Sequence, residues 1–164
     1  FGEGELAWLR EFAAIAAKGD KDLFGRYRSL DTLMVRLKAL EAKIDEEVEA
    51  ASPLSQHEEI PPELREQWEE ESKAAVMAEY RHRRAGFLTA LQGWLRDVWL
   101  HARGLGAERA RFPDLTDSAA TVAGRITARE AEVNLRLVEQ TQRTLHTNVN
   151  ELLVLEMGLL KLKL

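Results

Sequence analysis

Glu79-Tyr-Arg-His82 sets a carboxylate and an imidazole three residues apart, a spacing at which two side chains on a helix can reach one metal ion. A carboxylate-bridged di-iron bundle needs two such pairs and two further glutamates, yet His57, His101 and His146 have no acid three positions before them. The pair therefore reads as a solvated helix face. His57-Glu58 begins like the zinc-protease sequence His-Glu-x-x-His, but Glu59, Ile60 and Pro61 follow, and His57 reads as a loop residue. All-helical magnesium-dependent nucleotide pyrophosphatases use clustered glutamates completed by an aspartate on a facing helix. Glu46-Glu47 and Glu69-Glu70-Glu71 supply the clusters, but no later Glu-x-x-Asp supplies the partner, so exposed surface is the reading. A phosphate-binding loop needs glycines followed by Lys and Ser or Thr, and no such run occurs; Gly104-Leu-Gly106 lacks the third glycine and follows a helical stretch. The absence of cysteine removes disulfides, thiolate metal sites and cysteine nucleophiles together. No catalytic, cofactor-binding or metal-binding residue is assigned.

Arg81, His82, Arg83 and Arg84 beside Tyr80 form the one basic cluster, which on a helix spreads over more than half the circumference and makes no focused groove for phosphate. Residues 1–79 hold 10 basic and 19 acidic side chains, a balance of −9, whereas residues 80–164 hold 13 and 9, a balance of +4. An acidic half repels phosphate, so direct nucleic-acid contact is not expected. The chain has no apolar run long enough to span a bilayer and no signal-peptide pattern, and a cytoplasmic protein is the expectation. It starts at Phe1, which leads us to expect a piece of a longer protein.

The elements that would carry these residues are helices. Only Pro53, Pro61, Pro62 and Pro113 interrupt a chain rich in Ala, Leu, Glu and Arg. Leu6, Leu9, Phe12, Ala13 and Ala16 share one face of a helix from about Gly4 to Lys18, stopped by Gly19-Asp20. Leu30, Met34, Leu37, Leu40, Ile44 and Val48 mark a longer second helix. A loop is expected over residues 52–60, and Pro61-Pro62 opens a third helix running as far as Arg103, with a kink or break at Gly86 or Gly93 as an option. On this helix Trp94 falls in the core register, while Trp99 lines a second strip with Leu88, Gln92 and Leu95. Ser118 to Ile126 reads as a short helix, Thr127-Ala-Arg-Glu130 matches a capping box, and Asn148-Val-Asn-Glu151 opens a last, leucine-rich helix with Asn148 as its expected cap. The fold class is all-α: a single domain over residues 1–164, a bundle of about six helices, with residues 38–79 as an acidic helical-hairpin extension peripheral to the core. No run alternates like a strand and no repeat of fixed period occurs.

In that last helix Leu153, Met157, Leu160 and Leu164 fall on one stripe and Leu152, Leu155, Leu159 and Leu162 on another, with Glu156 and Lys163 between them. A helix at the edge of a bundle needs one apolar stripe, so the second is expected to meet another subunit, and periodicity does not say which stripe that is. Leu152, Leu155, Leu159, Leu162, Met157, Leu160 and Trp99 are the candidate interface residues.

The segment from Phe87 to Leu100 with its Leu95-Arg96-Asp97, a loop, a short helix, a capped helix, and then Asn148-x-Asn150 leading into Leu153, Leu155 and Glu156 resembles the C-terminal domain of the delta-prime subunits of bacterial DNA polymerase III. The likeness covers the second half of the chain through its motifs and the first half in pattern only. It implies a clamp-loader collar, the helical ring that holds five subunits together while ATP and most DNA contacts lie in upstream modules, with delta-like and gamma/tau-like subunits as partners. The gamma/tau collar is a near relative in the same resemblance. The acidic stretch from Lys38 to Glu79 is longer than that family has here. The expected function is therefore a non-catalytic oligomerisation domain in DNA replication, with a stand-alone helical adaptor, and behind it a magnesium-dependent pyrophosphatase, as the alternatives.

Overall fold

The computed structural model describes residues 1–19, 23–53, 59–106 and 108–164; His57, the expected loop histidine, and Asp20, half of the expected stop after the first helix, lie outside them. The protein is an all-helical bundle, with six α-helices and no strand among the described residues. They are α1 (Glu3–Lys18), α2 (Leu23–Ala51), α3 (Pro62–Ala102), α4 (Thr116–Ala123), α5 (Ala128–Leu145) and α6 (Glu151–Leu160), with a 3-10 turn at Pro113–Leu115. Of the loop expected over residues 52–60, Ser52, Pro53, Glu59 and Ile60 lie outside the α-helices. Helix α3 passes through Gly86 and Gly93 without interruption. The short helix spans 116–123, not 118–126, because Gly124 terminates it and leaves Ile126 outside.

The chain forms two compact units, Phe1–Met34 with Gly86–Leu164, and Val35–Ala85. In the first, α1 buries Trp8, Leu9, Phe12 and Ala13, and α3 buries Phe87, Leu91, Trp94, Leu95 and Val98. Their rings interlock: Trp8 meets Phe12 and Phe87 at centroid distances of 5.4 and 5.8 Å, and Phe12 meets Trp94 edge-on at 5.9 Å. Trp94 Nε1 donates to Ser118 Oγ at 3.2 Å, which satisfies its polar atom inside the core and ties α4 to α3. Helix α4 adds Ala119 and Val122, fully buried, and packs on α1.

The end of α1 shows how local chemistry and packing combine. Gly19 takes φ 72°, the left-handed conformation that closes a helix and costs a side-chain-bearing residue strain. Arg125, from beyond α4, then donates to the carbonyls of Ala16 and Ala17, placing a cation on the negative end of the helix.

Helix α5 begins with the expected capping box: the Glu130 amide donates to Thr127 Oγ1 at 3.1 Å and the Thr127 amide donates to Glu130 Oε2 at 2.9 Å. Helix α6 is capped by Asn150, whose Oδ1 accepts the Leu153 amide at 3.1 Å, and not by Asn148, which lies outside the helix and exposed. The side chain that caps must sit next to the first helical residue, and that residue is Glu151. Thr127→Ala and Asn150→Ala should each lower unfolding free energy by about 1 kcal/mol, while Asn148→Ala should leave it within about 0.5 kcal/mol of the parent, measured by urea titration. The backbone amide of Thr127, and after it Lys163 at 3.1 Å, hold the Glu130 carboxyl below its ordinary range. A group with a lowered folded pKa contributes stability above its unfolded pKa and loses it as pH falls through the folded one. The melting temperature of Glu130→Gln should therefore decline less than the parent's on acidification below the usual carboxylate range.

In the second unit, residues 35–51 of α2 and 62–85 of α3 pair as a helical hairpin. Arg83 bridges Glu47 at 2.7 Å and Glu79 at 2.6 Å, and Ser52 shares a groove with Glu69 and Ser72. Leu37 and Ile44 are buried, whereas Val35 and Met77 are exposed. Its charge is carried by many glutamates around few buried apolar side chains, the composition of a solvated arm.

Candidate interaction surface

Helix α6 is ten residues long, Glu-Leu-Leu-Val-Leu-Glu-Met-Gly-Leu-Leu, and apolar around most of its circumference. Such a helix has no preferred face by composition, so packing alone orients it. Three interactions do so in this unit. Gly158 lies directly against Thr141 of α5, where an added Cβ would collide with the hydroxyl, so the two helices touch backbone to side chain. Tyr27 of α2 donates its hydroxyl to Glu156 Oε1 at 2.8 Å, and that carboxylate raises the phenol's pKa. Arg26 donates to the Leu160 carbonyl at 2.8 Å, at the negative end of α6.

Beyond the helix, Asn134 of α5, buried, holds the chain like a strand partner: its Nδ2 donates to the Lys163 carbonyl and its Oδ1 accepts the Lys163 amide at 2.9 Å. This pairing ends α6 at Leu160. Leu162 and Leu164 therefore do not continue a helical stripe, contrary to the expectation of two stripes running to the last residue. Leu162 is nonetheless buried.

With α6 held this way, Leu155, Gly158 and Leu159 face inward. Leu152 does not join them, which corrects its placement on their stripe: it is 48% exposed, with Leu153 at 54%, Met157 at 51% and Val149, just before the cap, at 43%. Leu160 is half-buried on the same side. At 100° per residue, positions 152, 153, 157 and 160 share one face, so three half-exposed apolar side chains and the part-buried Leu160 form a strip along the outside of α6, with Val149 just before the cap.

The motif residues on α3 have structural partners. Asp97 is 1% exposed, and its two carboxylate oxygens accept the backbone amides of Arg111 and Phe112, each at 2.9 Å. It thereby anchors the segment leading to Pro113. Arg96 is exposed and donates to the Arg109 carbonyl at 3.3 Å, and Leu95 is core. The only sign of the Asp97 role was an acid set between Leu95 and Val98 in the buried register of α3. Trp99 is half-buried with the Arg103 guanidinium 5.6 Å from its ring centre, on a different helix from the α6 strip. Glu156, the last of the motif positions, is the acceptor for Tyr27.

The other sequence candidates disperse. Glu79 pairs with Arg83, one turn on, while His82 is exposed, and no group of three or more metal-ligating side chains occurs among the described residues. Glu47 is likewise taken by Arg83, which holds its carboxyl below the ordinary range, and Glu71 accepts from Gln67 at 3.2 Å. No helix among the described residues is long and apolar enough to cross a membrane.

Comparison with protein-family models, with curated proteins and with solved structures finds no match to this chain.

Proposed function

We propose that the protein is a non-catalytic assembly module that joins a larger complex through the outer face of α6. The observation that carries this reading is the strip of half-exposed Leu152, Leu153 and Met157 on a helix whose opposite side is packed by Leu155, Gly158 and Leu159. Covering the remaining half of each such side chain is worth about 1 kcal/mol, so these three, the part-buried Leu160 and the adjoining Val149 suffice for the centre of a specific protein contact. An apolar strip on a rigid, capped helix also loses little entropy when it docks.

In its narrower form, resting on the sequence resemblance, the complex is a bacterial clamp loader in which this chain acts as a delta-prime-like collar beside delta-like and gamma/tau-like subunits during DNA replication. What supports that form is the motif itself and the all-helical class.

The test pairs a change on the strip with binding. Leu153→Asp combined with Met157→Asp should leave helicity and melting close to the parent, because both positions are more than half exposed, and should weaken association with the partner subunits by about 100-fold or more. Co-purification with delta-like and gamma/tau-like collar domains is the readout for the narrow form. A parent chain that forms no complex with them overturns the clamp-loader reading, and a double variant that still assembles overturns the assignment of the strip.

A further inference from the structure

Two grooves of the acidic hairpin, which share Val48, Ser52 and Ser72, differ in how their charge is balanced. One is lined by Trp68, Ala75, Val48 and Ala51 together with Arg83, which bridges Glu47 and Glu79. The other, of about 800 Å³, has Val48, Val76 and Met77 as its apolar lining between the helices. Its rim carries Asp45, Glu49 and Glu69 against a single cation, Lys73, and none of these four has an ion-pair partner among the described residues. Met77 is 48% exposed.

We propose that this groove docks a basic amphipathic helix of a partner protein. A two-helix hairpin leaves an apolar seam that a third helix completes, inserting side chains at spacings of three and four, and an open groove lined from both helices, by residues 45–52 and 69–77, fits such an occupant. The charge decides its chemistry. Residues 38–79 carry 13 acidic and 4 basic side chains, so a second copy of the hairpin would meet like charge across the seam, whereas Lys and Arg flanking an apolar stripe would supply the cations that Asp45, Glu49 and Glu69 lack. This contact is separate from the α6 strip and does not depend on it.

The probe is a synthetic Leu/Lys peptide of about five helical turns with leucine at i, i+3, i+4 and i+7, titrated into the whole chain by calorimetry beside a peptide of identical composition whose leucines are out of phase. The in-phase peptide should bind with a Kd on the order of 10 µM, and the out-of-phase peptide at least about tenfold more weakly. Val76→Ser with Met77→Ser, which leaves every charge in place, and Glu49→Lys with Glu69→Lys, which leaves the apolar lining in place, should each weaken binding by about tenfold or more. Amide hydrogen exchange on the unaltered chain supplies a readout that needs no variant: the peptide should protect residues 45–52 and 69–77. Equal binding of the two peptides, binding unaffected by the Val76 and Met77 substitutions, protection elsewhere, or no binding at all would each overturn the proposal. So would concentration-dependent pairing of two copies through the same residues.

Discussion

Leu155→Asp combined with Leu159→Asp should unfold the unit that contains α1 and α4 to α6. Leu155 is fully buried and Leu159 nearly so, on the face of α6 that meets α5. Removing each leucine forfeits about 2 to 3 kcal/mol of apolar burial, and each introduced carboxylate must either be buried unpaired or drive the helix out into water. The two leucines alone forfeit about 4 to 6 kcal/mol, and with the carboxylate penalty added the loss rivals the roughly 5 to 15 kcal/mol by which a domain of this size is stable at all. Circular dichroism should show lost helicity and no cooperative transition. The comparison with Leu153→Asp and Met157→Asp is what makes the result diagnostic, since both pairs add two charges to the same ten-residue helix and differ only in the face they occupy. Two double variants that both melt like the parent would mean that α6 is not docked as described.

Asp97→Ala should destabilise by about 3 to 5 kcal/mol, the largest effect expected of any single polar side chain here. Among the described residues the carboxylate is the only hydrogen-bond partner of the amides of Arg111 and Phe112, and alanine would strand both donors beside a buried phenylalanine ring. Stranding one such amide costs about 1 to 3 kcal/mol. Asp97→Asn keeps one acceptor oxygen but turns an NH2 toward an N–H, so it should fall between the parent and alanine. Urea titration with a shared m-value orders the three. An alanine variant as stable as the parent would show that Phe112 packing alone holds this segment.

These two predictions mark where reading the chain residue by residue stops. The existence, type and approximate ends of the helices follow from local rules, because caps and stops act within one turn. Gly19 ends α1 since the left-handed closure suits glycine, Thr127 and Glu130 satisfy each other's amides over three residues, and Pro62 sits at the first helical position of α3 where no amide is needed. The periodicity of Leu9, Phe12, Ala13 and Ala16 likewise has a definite phase, because the charged Glu3, Arg10, Glu11 and Lys18 lie exposed on the opposite side of α1.

What local rules leave open is any choice between equivalent neighbours. Asn148 and Asn150 have the same capping chemistry, and the choice went to the one at which the chain turns into α6. Leu33 and Met34 both fit the apolar spacing of α2, and only the neighbouring elements make Leu33 fully buried and leave Met34 half-buried. Helix α6 is the extreme case, since a helix apolar nearly all round carries no phase. Its inward face was set by the backbone approach at Gly158, the Tyr27–Glu156 hydrogen bond, and the Asn134 side chain that captures Lys163 and ends the helix, contacts between residues up to 129 positions apart. The same contacts left Leu152, Leu153 and Met157 outside, because a ten-residue helix wedged against α5 can bury only one side.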